Sequence, residues 1–347
     1  MAPRVVAAVS DAFVVDLGPA FGVGRPVHRT PARRLGCSCL RAAMSERDLT
    51  RGNVPTERLL DWVAAVIGAG ARTVEIRALH DDEDGRWRLR IEHRGGTMHA
   101  VLRVPTPPGI NASMVATGAA ALELAEQHGL PAPRLIGADL QGDVAGVPAT
   151  LETLVPGTTA WPAPTSLERL RAAGAALARV HGVVVMAQHE HLPFRPRPIA
   201  VDDFAYVRRK GWMPTTPLLR EADEVIRAHG LPHGETVFLH GDVWPGNLIW
   251  AGEEVGALID WKTAGVGSPG VDVCELRKQV AMAFGPHAPE HVLEGWERAT
   301  GTKARDVAYW DAVAALNTPT ELDSRDGAGA TDRRDAFLRE ALTNLGG

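Results

Sequence analysis

Three polar side chains that could act together lie close to one another in the chain. Asp242 and Asn247 are five positions apart, and Asp260 follows thirteen positions after Asn247. Each lies next to an apolar run typical of a β-strand, so all three are expected in loops at strand ends, where they can converge. Two carboxylates and one carboxamide offer oxygen ligands, which suit Mg²⁺ and phosphate chemistry better than they suit zinc.

The order of these residues resembles that of a kinase active site, with a catalytic Asp, an Asn five positions later and a metal-binding Asp on the next hairpin. The full pattern has His-Gly-Asp ending at Asp242, then Asn247, then Ile-Asp-Trp around Asp260. It resembles the aminoglycoside phosphotransferase family more than the protein kinases. The resemblance implies that Asp242 orients and deprotonates a substrate hydroxyl, and that Asn247 and Asp260 hold Mg²⁺ on nucleotide phosphates. The alternative is a β-hairpin with incidental acids, which the ordered set of three disfavours.

Two further residues, Asp272 and His240, are expected to support the site structurally. The segment 265–272 resembles the family's Gly-x-Gly-Asp-Pro-x-x-Asp pattern, with Ser268 where an Asp is common. The resemblance implies that Asp272 braces the loop carrying Asp242 through backbone amides, and His240 is placed in the same supporting group. An alternative role for Asp272 is that of N-cap for a helix beginning at Val273.

The sequence that precedes these residues predicts the helix and strands expected of a kinase-like fold. Three strand-like runs with turn sequences between them follow an amphipathic helix that opens near Pro55. The runs are 73–79, 87–93 and 97–104. Beyond Gly157 the periodicity becomes helical, for example from Ser166 to His181. The expected fold class is α+β, a protein-kinase-like two-lobed fold with a small antiparallel-sheet N-lobe and a mainly helical C-lobe.

The chain is expected to divide into four parts. Residues 1–45 are interpreted as a disordered leader or a misassigned start, because residues 1–43 hold six Arg and only two acids without a sustained period. Met44 would be a natural start. Residues 46–150 are expected to form the N-lobe on the nucleotide side, and 151–157 the hinge. Residues 158–347 are expected to form the helical C-lobe with the catalytic and metal loops and the acceptor pocket.

Residues that would bind the nucleotide follow from the same resemblance. The third strand ends in Val-Leu-Arg at Arg103, where the kinase pattern has a Lys on the α- and β-phosphates. An Arg can serve phosphate oxygens equally well. The alternative is a strand-edge Arg pointing to water. Near the hinge, the resemblance implies that backbone groups of Glu152, Thr153 and Leu154 receive the adenine edge, although an ordinary strand leaving a sheet would have the same sequence.

Two departures from the pattern stand beside these assignments. The first hairpin loop, residues 80–86, is acidic and has a single Gly, which makes a poor phosphate cradle. The helix expected at 113–128 has no acid near its start, around Thr117 and Gly118, where a Glu would pair with Arg103. The partner of Arg103 is therefore left open.

Composition limits the other classes of function. The 347 residues carry a net charge of −5 without a basic stripe, so nucleic acid is not indicated as a partner. No apolar run approaches the length of a membrane span. Three cysteines are too few for a disulfide framework and have no zinc-site spacing, so a reducing cytoplasm is expected.

These patterns together predict an O-phosphotransferase that uses ATP or GTP as co-substrate and Mg²⁺ as cofactor. Its acceptor would be a hydroxyl of a small molecule, either an antibiotic such as an aminoglycoside or macrolide, or a metabolite. The alternative is a catalytically weak or silent family member that binds nucleotide and acts through interactions. The acidic hairpin and the missing helix Glu favour that alternative, and the presence of Asp242, Asn247 and Asp260 together argues against it.

Overall fold

The computed structural model describes residues 54–79, 85–105, 112–185, 190–200, 202–322 and 329–346. The leader predicted at 1–45 and most of the acidic hairpin loop, residues 80–84, lie outside these ranges. Residues 50–347 form one compact unit. None of the described helices combines the length and the apolar character needed to cross a membrane.

The described elements follow one another as a sheet-rich part and then a helix-rich part. The helices are Glu57–Ile67 (α1), Ala112–Gln127 (α2), Leu167–His181 (α3), Phe204–Arg209 (α4), Pro217–His229 (α5), Gly270–Phe284 (α6), Ala288–Thr300 (α7), Val307–Leu316 (α8) and Ala330–Gly346 (α9). The strands are Arg72–Ala78 (β1), Arg86–His93 (β2), Gly96–Arg103 (β3), Leu135–Asp139 (β4), Ala149–Thr153 (β5), Val237–Leu239 (β6), Leu248–Ala251 (β7), Glu254–Leu258 (β8) and Gly265–Gly267 (β9). Two short 3₁₀ turns occupy Pro245–Asn247 and Trp261–Thr263.

Strands β1 to β5 form one antiparallel sheet in the order β1-β2-β3-β5-β4. Alternation along β2 puts Trp87, Leu89 and Ile91 on one face, where they pack with Leu59 and Val63 of α1. The polar residues that alternate with them, such as Arg86, lie on the opposite face. This small antiparallel sheet with α1 is called the sheet lobe below.

The helical lobe is built around α3, α6 and α7. Ser166 caps α3 by accepting a hydrogen bond from the Arg169 N–H. Helix α2 contributes Ala120, Ala121 and Leu122 to the same apolar cluster as α3 and α7, so it packs on this lobe. The predicted α+β architecture, with a small antiparallel-sheet lobe and a helical lobe, is confirmed.

Two hairpin-like pairings place the functional loops side by side. Strand β6 pairs with β9, and β7 pairs with β8, so the turn after β6 and the turn after β8 lie at the same end of the pairings. Asp242 and Asn247 lie in the first turn and Asp260 lies in the second. The convergence predicted from their positions at strand ends therefore follows from the strand pairing.

Candidate active site

The turn that carries Asp242, residues 240–247, is called the catalytic loop after its predicted role, and the turn that carries Asp260, residues 259–264, is called the metal loop in the same sense. Close contacts join the two turns. The Ile259 N–H donates to the Asn247 carbonyl at 2.9 Å. The His240 ring donates from Nε2 to the Ile259 carbonyl at 2.9 Å, because a carbonyl can only accept. Gly241, at φ +83°, brings its Cα so close to the metal loop that a Cβ would lie 2.2 Å from the Thr263 carbonyl oxygen. The two turns are therefore fixed relative to each other.

Asp242 and Asn247 are held within the catalytic loop by one side-chain amide. Asn247 donates from Nδ2 to the Asp242 carbonyl at 2.9 Å, with the Asp242 Oδ2 at 3.4 Å. This orientation leaves the Asn247 Oδ1 as the atom able to ligate a cation. Burial, reinforced by the negative charge of Asp260, raises the pKa of Asp242 to about 7. A carboxylate with such a pKa can accept a proton near neutral pH.

Asp260 adopts a left-handed backbone conformation and is surrounded by cations. Its φ of 68° and ψ of 57° are unusual for a residue other than glycine, and such strain is typical of functional sites. Lys262 Nζ lies 2.7 Å and Arg86 Nη1 3.1 Å from its Oδ2, and Arg103 Nη1 lies 3.2 Å from its Oδ1. Burial by itself would raise the pKa of Asp260, but these positive charges outweigh it and hold the pKa well below its usual range.

Arg103 has an acidic partner, and it comes from β5. The Arg103 Nε donates to the Glu152 Oε1 in a short ion pair, and the Glu152 side chain is 3% exposed. No acid of α2 is needed for this role. At Gly118 a Cβ would lie 3.6 Å from the Lys262 Cα, an ordinary van der Waals contact, so the middle of α2 lies against the metal loop. The open question of the Arg103 partner is answered by Glu152.

Two of the backbone N–H groups in the segment predicted to receive the adenine edge already have partners within the sheet lobe. The Thr153 N–H donates to the Arg134 carbonyl at 2.9 Å, and the Leu154 N–H donates to the His99 carbonyl at 3.2 Å. Both are engaged because β5 lies between β3 and β4 in the sheet. Glu152, predicted to contribute through its backbone, also pairs through its side chain with Arg103. Strand β5 also extends to Thr153, so the segment predicted as a hinge begins within the sheet.

Asp272 links the catalytic loop to the helical lobe. Its Oδ2 accepts from the His240 N–H and its Oδ1 from the Gly241 N–H, each at 2.8 Å. The His181 Nε2 lies 3.2 Å from the same Oδ2, and the Trp296 indole donates to the His181 Nδ1 at 2.9 Å. Since α6 begins at Gly270, Asp272 lies inside its first turn and is not the N-cap that the alternative interpretation required.

The donor set fits Mg²⁺ better than it fits a metal held by protein ligands alone. Among the residues that the structure describes, no group of three or more His, Cys, Asp or Glu side chains could hold a metal ion. Mg²⁺ is ordinarily bound by one or two protein oxygens together with phosphates and water. Asp260 and the Asn247 Oδ1 would supply such a pair.

The sequence interpretation missed two cationic residues of the site. Arg86 opens β2 and lies directly opposite Arg103 in the β2–β3 register. Lys262 follows Asp260 by two positions and pairs with it. The register of β2 and β3 could have been counted from the turn at Arg94 and Gly95, and it would have placed Arg86 beside Arg103.

Comparison with known proteins identifies a family. The family model described as "Phosphotransferase enzyme family" matches residues 75–316. No curated protein sequence matches this chain.

Solved structures with the same fold cover most of the chain. A candidate aminoglycoside phosphotransferase from Ralstonia eutropha JMP134 is 14% identical with a TM-score of 0.60, covering 83% of this chain and 98% of its own. The macrolide 2′-phosphotransferase of Brachybacterium faecium is 20% identical with a TM-score of 0.54, covering 82% and 98%. An amicoumacin kinase in complex with AMP-PNP, Ca²⁺ and Ami is 13% identical with a TM-score of 0.52, covering 76% and 88%. At these identities the likeness establishes the fold alone.

Proposed function

Because this chain belongs to the phosphotransferase enzyme family, we propose that it transfers the γ-phosphoryl group of ATP or GTP to a hydroxyl group of a small molecule. The observation that carries the proposal is the geometry of the site, in which hydrogen bonds join the loop of Asp242 and Asn247 to the loop of Asp260. The environments of the two carboxylates support it. Asp242 has a pKa raised to about 7, whereas the pKa of Asp260 is held far lower by three cations. One carboxylate is thus suited to accept a proton and the other to remain ionised.

Asp242 is the proposed catalytic base. Its carboxylate would accept the proton of the acceptor hydroxyl as that oxygen forms a bond to the γ-phosphorus. The bond from the γ-phosphorus to the β–γ bridging oxygen breaks at the same time, and the nucleoside diphosphate leaves. The side-chain amide of Asn247 donates from Nδ2 to the carbonyl of Asp242. This hydrogen bond fixes the direction of the Asn247 Oδ1, and it also limits the movement of Asp242.

Asn247 and Asp260 are the residues that would hold Mg²⁺. The ion's contribution when bound is to neutralise charge on the phosphate oxygens. Arg103 would bind the phosphates directly, with Glu152 fixing the direction of its guanidinium group. Asp272 and His240 would keep the catalytic loop in place through the hydrogen bonds described above.

The acceptor belongs to the class of small molecules with a hydroxyl group. An antibiotic such as an aminoglycoside or a macrolide is one proposal, since structural relatives carry those names, and a metabolite is the other. ATP is the first nucleotide to test, because the amicoumacin kinase structure contains its analogue AMP-PNP.

The decisive experiment separates nucleotide binding from phosphoryl transfer. An acceptor panel with ATP and GTP identifies a substrate, after which single-turnover transfer and calorimetric nucleotide affinity are compared in wild type, Asp242→Asn and Asp260→Asn. We expect Asp242→Asn to bind nucleotide normally and to transfer about 10²-fold more slowly or worse, the usual contribution of a general base. Asp260→Asn should lose transfer as well, together with affinity for the metal–nucleotide complex.

The same experiment tests the alternative of a silent nucleotide-binding protein. Equal transfer rates in wild type and Asp242→Asn would contradict the assignment of the base. Tight nucleotide binding without transfer to any acceptor, and without nucleotide hydrolysis, would favour the silent member.

A further inference from the structure

We propose that Arg86 is a second phosphate-binding arginine, which together with Arg103 forms a two-arginine clamp on the nucleotide. This inference deepens the proposed function and rests on it. Arg86 is not one of the residues, Asp242, Asp260 and Arg103, from which the function was inferred.

The two arginines are placed as a pair by the sheet. Arg86 is the first residue of β2 and Arg103 the last residue of β3, and the antiparallel register sets them directly opposite each other. Cross-strand neighbours of this kind have side chains on the same face of the sheet. Both guanidinium groups reach the same carboxylate, Arg103 on Oδ1 and Arg86 on Oδ2 of Asp260.

Three positively charged side chains surround Asp260. Arg86, Arg103 and Lys262 bring three positive charges within 3.2 Å of its carboxylate. Glu152 balances Arg103 through its own ion pair. A divalent cation at Asp260 would add two more positive charges, which the negative charges of nucleotide phosphates would offset.

The chemistry and the position of the Arg86 side chain are also suited to binding phosphate. A guanidinium group presents its N–H donors in a planar fork that matches phosphate oxygens. The side chain is 21% exposed, so it is partly accessible from solvent. Arg86 is the last residue of the acidic hairpin segment 80–86, and it would supply the positive charge that the rest of this segment lacks.

The test measures affinities for ATP, GTP, ADP and AMP by calorimetry at fixed ionic strength in wild type, Arg86→Ala and Arg86→Lys. We expect Arg86→Ala to bind the di- and triphosphates about 10- to 100-fold more weakly, as for a lost hydrogen bond between charged groups. AMP should be affected much less, and Arg86→Lys should recover part of the loss. The matched control is Arg94→Ala, which removes the same charge from the exposed turn at the other end of β2 and should bind as wild type does.

A second arm distinguishes a phosphate contact from an effect through Asp260. The same titrations are repeated in EDTA, where metal ligation cannot contribute. A direct contact keeps the difference between Arg86→Ala and wild type without metal. Loss of that difference in EDTA would overturn the proposal and leave Arg86 as a residue that only positions Asp260.

The remaining outcomes separate this inference from the proposed function. If wild type binds nucleotide and Arg86→Ala binds it as tightly as Arg94→Ala does, the clamp is refuted and the proposed function stands. If wild type binds neither ATP nor GTP, the proposed function fails first and the clamp fails with it. Thermal unfolding of each variant shows that a weaker affinity does not come from loss of the fold.

Discussion

Replacing Asp242 by Asn should stabilise the ligand-free protein at neutral pH while it impairs transfer. The Asp242 carboxyl has a pKa of about 7 in the folded protein because burial and the charge of Asp260 disfavour its ionised form. In the unfolded chain its pKa is about 3.9. Between these values the folded state holds a proton that the unfolded state has released, so the free energy of unfolding of the wild type falls as the pH rises.

The size of this effect follows from the two pKa values. For a single group with pKa values of about 7 and 3.9, the free energy of unfolding drops by roughly 2.5 kcal/mol between pH 5 and pH 8. Asn at this position does not titrate and can still accept the weak hydrogen bond from Asn247. The stability of Asp242→Asn relative to wild type should therefore increase by roughly 2.5 kcal/mol over this range, a shift in Tm on the order of 5 °C.

The assay is thermal or urea unfolding of both proteins between pH 5 and pH 8, in EDTA and without nucleotide. Asp260→Asn is the matched control, since it makes the same chemical change at a neighbouring carboxylate whose pKa is lowered. That carboxylate is ionised in both states throughout this range, so its own loss should destabilise by about 3 kcal/mol, as for a broken buried ion pair. Because burial is the larger cause of the raised pKa of Asp242 and the charge of Asp260 the smaller one, the pH dependence of this variant's effect should be weaker than that of Asp242→Asn.

One result would refute this reasoning. If the difference in stability between Asp242→Asn and wild type is the same at pH 5 and pH 8, then Asp242 is not a carboxyl held partly protonated near neutral pH. Its proposed suitability as a base would lose its physical ground.

Two further predictions concern Arg103 and Gly241. Arg103→Ala should weaken nucleotide binding about 10-fold or more, and Arg103→Lys should recover part of the loss. Glu152→Gln should weaken nucleotide binding less, because this variant keeps the guanidinium group of Arg103. If calorimetry finds the same nucleotide affinity in Arg103→Ala as in wild type, Arg103 has only a strand-edge role. Gly241→Ala should cost several kcal/mol, roughly 3 or more, because the new methyl group meets the Thr263 carbonyl. Gly252→Ala, at φ +68° with open space around it, should cost only the roughly 1 kcal/mol of the backbone conformation in the same urea titration, and equal losses would contradict the clash.

The elements of the sheet lobe were predictable because each depends on a local pattern. Alternation in β2 and the Gly-containing turn before β3 define the strands to within a residue. The order of Asp242, Asn247 and Asp260 was equally readable, since their separation spans only short strands and turns. Fold class and family both follow from such local signals.

The long-range polar contacts of the site could not be predicted from local sequence patterns. Glu152 and Arg103 are 49 positions apart and meet only because β5 pairs with β3 in the sheet. The link from Trp296 through His181 to Asp272 joins three helices. Such contacts depend on tertiary packing, for which single-residue patterns carry no signal.

The contacts between the two functional turns have a mechanical consequence. Neutral hydrogen bonds and a glycine contact join the catalytic loop to the metal loop, so the separation of Asp242 and Asp260 is set before any substrate arrives. The sheet lobe, in contrast, reaches Asp260 through the charged side chains of Arg86 and Arg103. Movement of the sheet away from the helical lobe would break ion pairs and leave the geometry of the reacting groups intact. Salt, which screens charged pairs, should therefore weaken the attachment of the sheet lobe at Asp260 more than it affects the contacts that join the two loops.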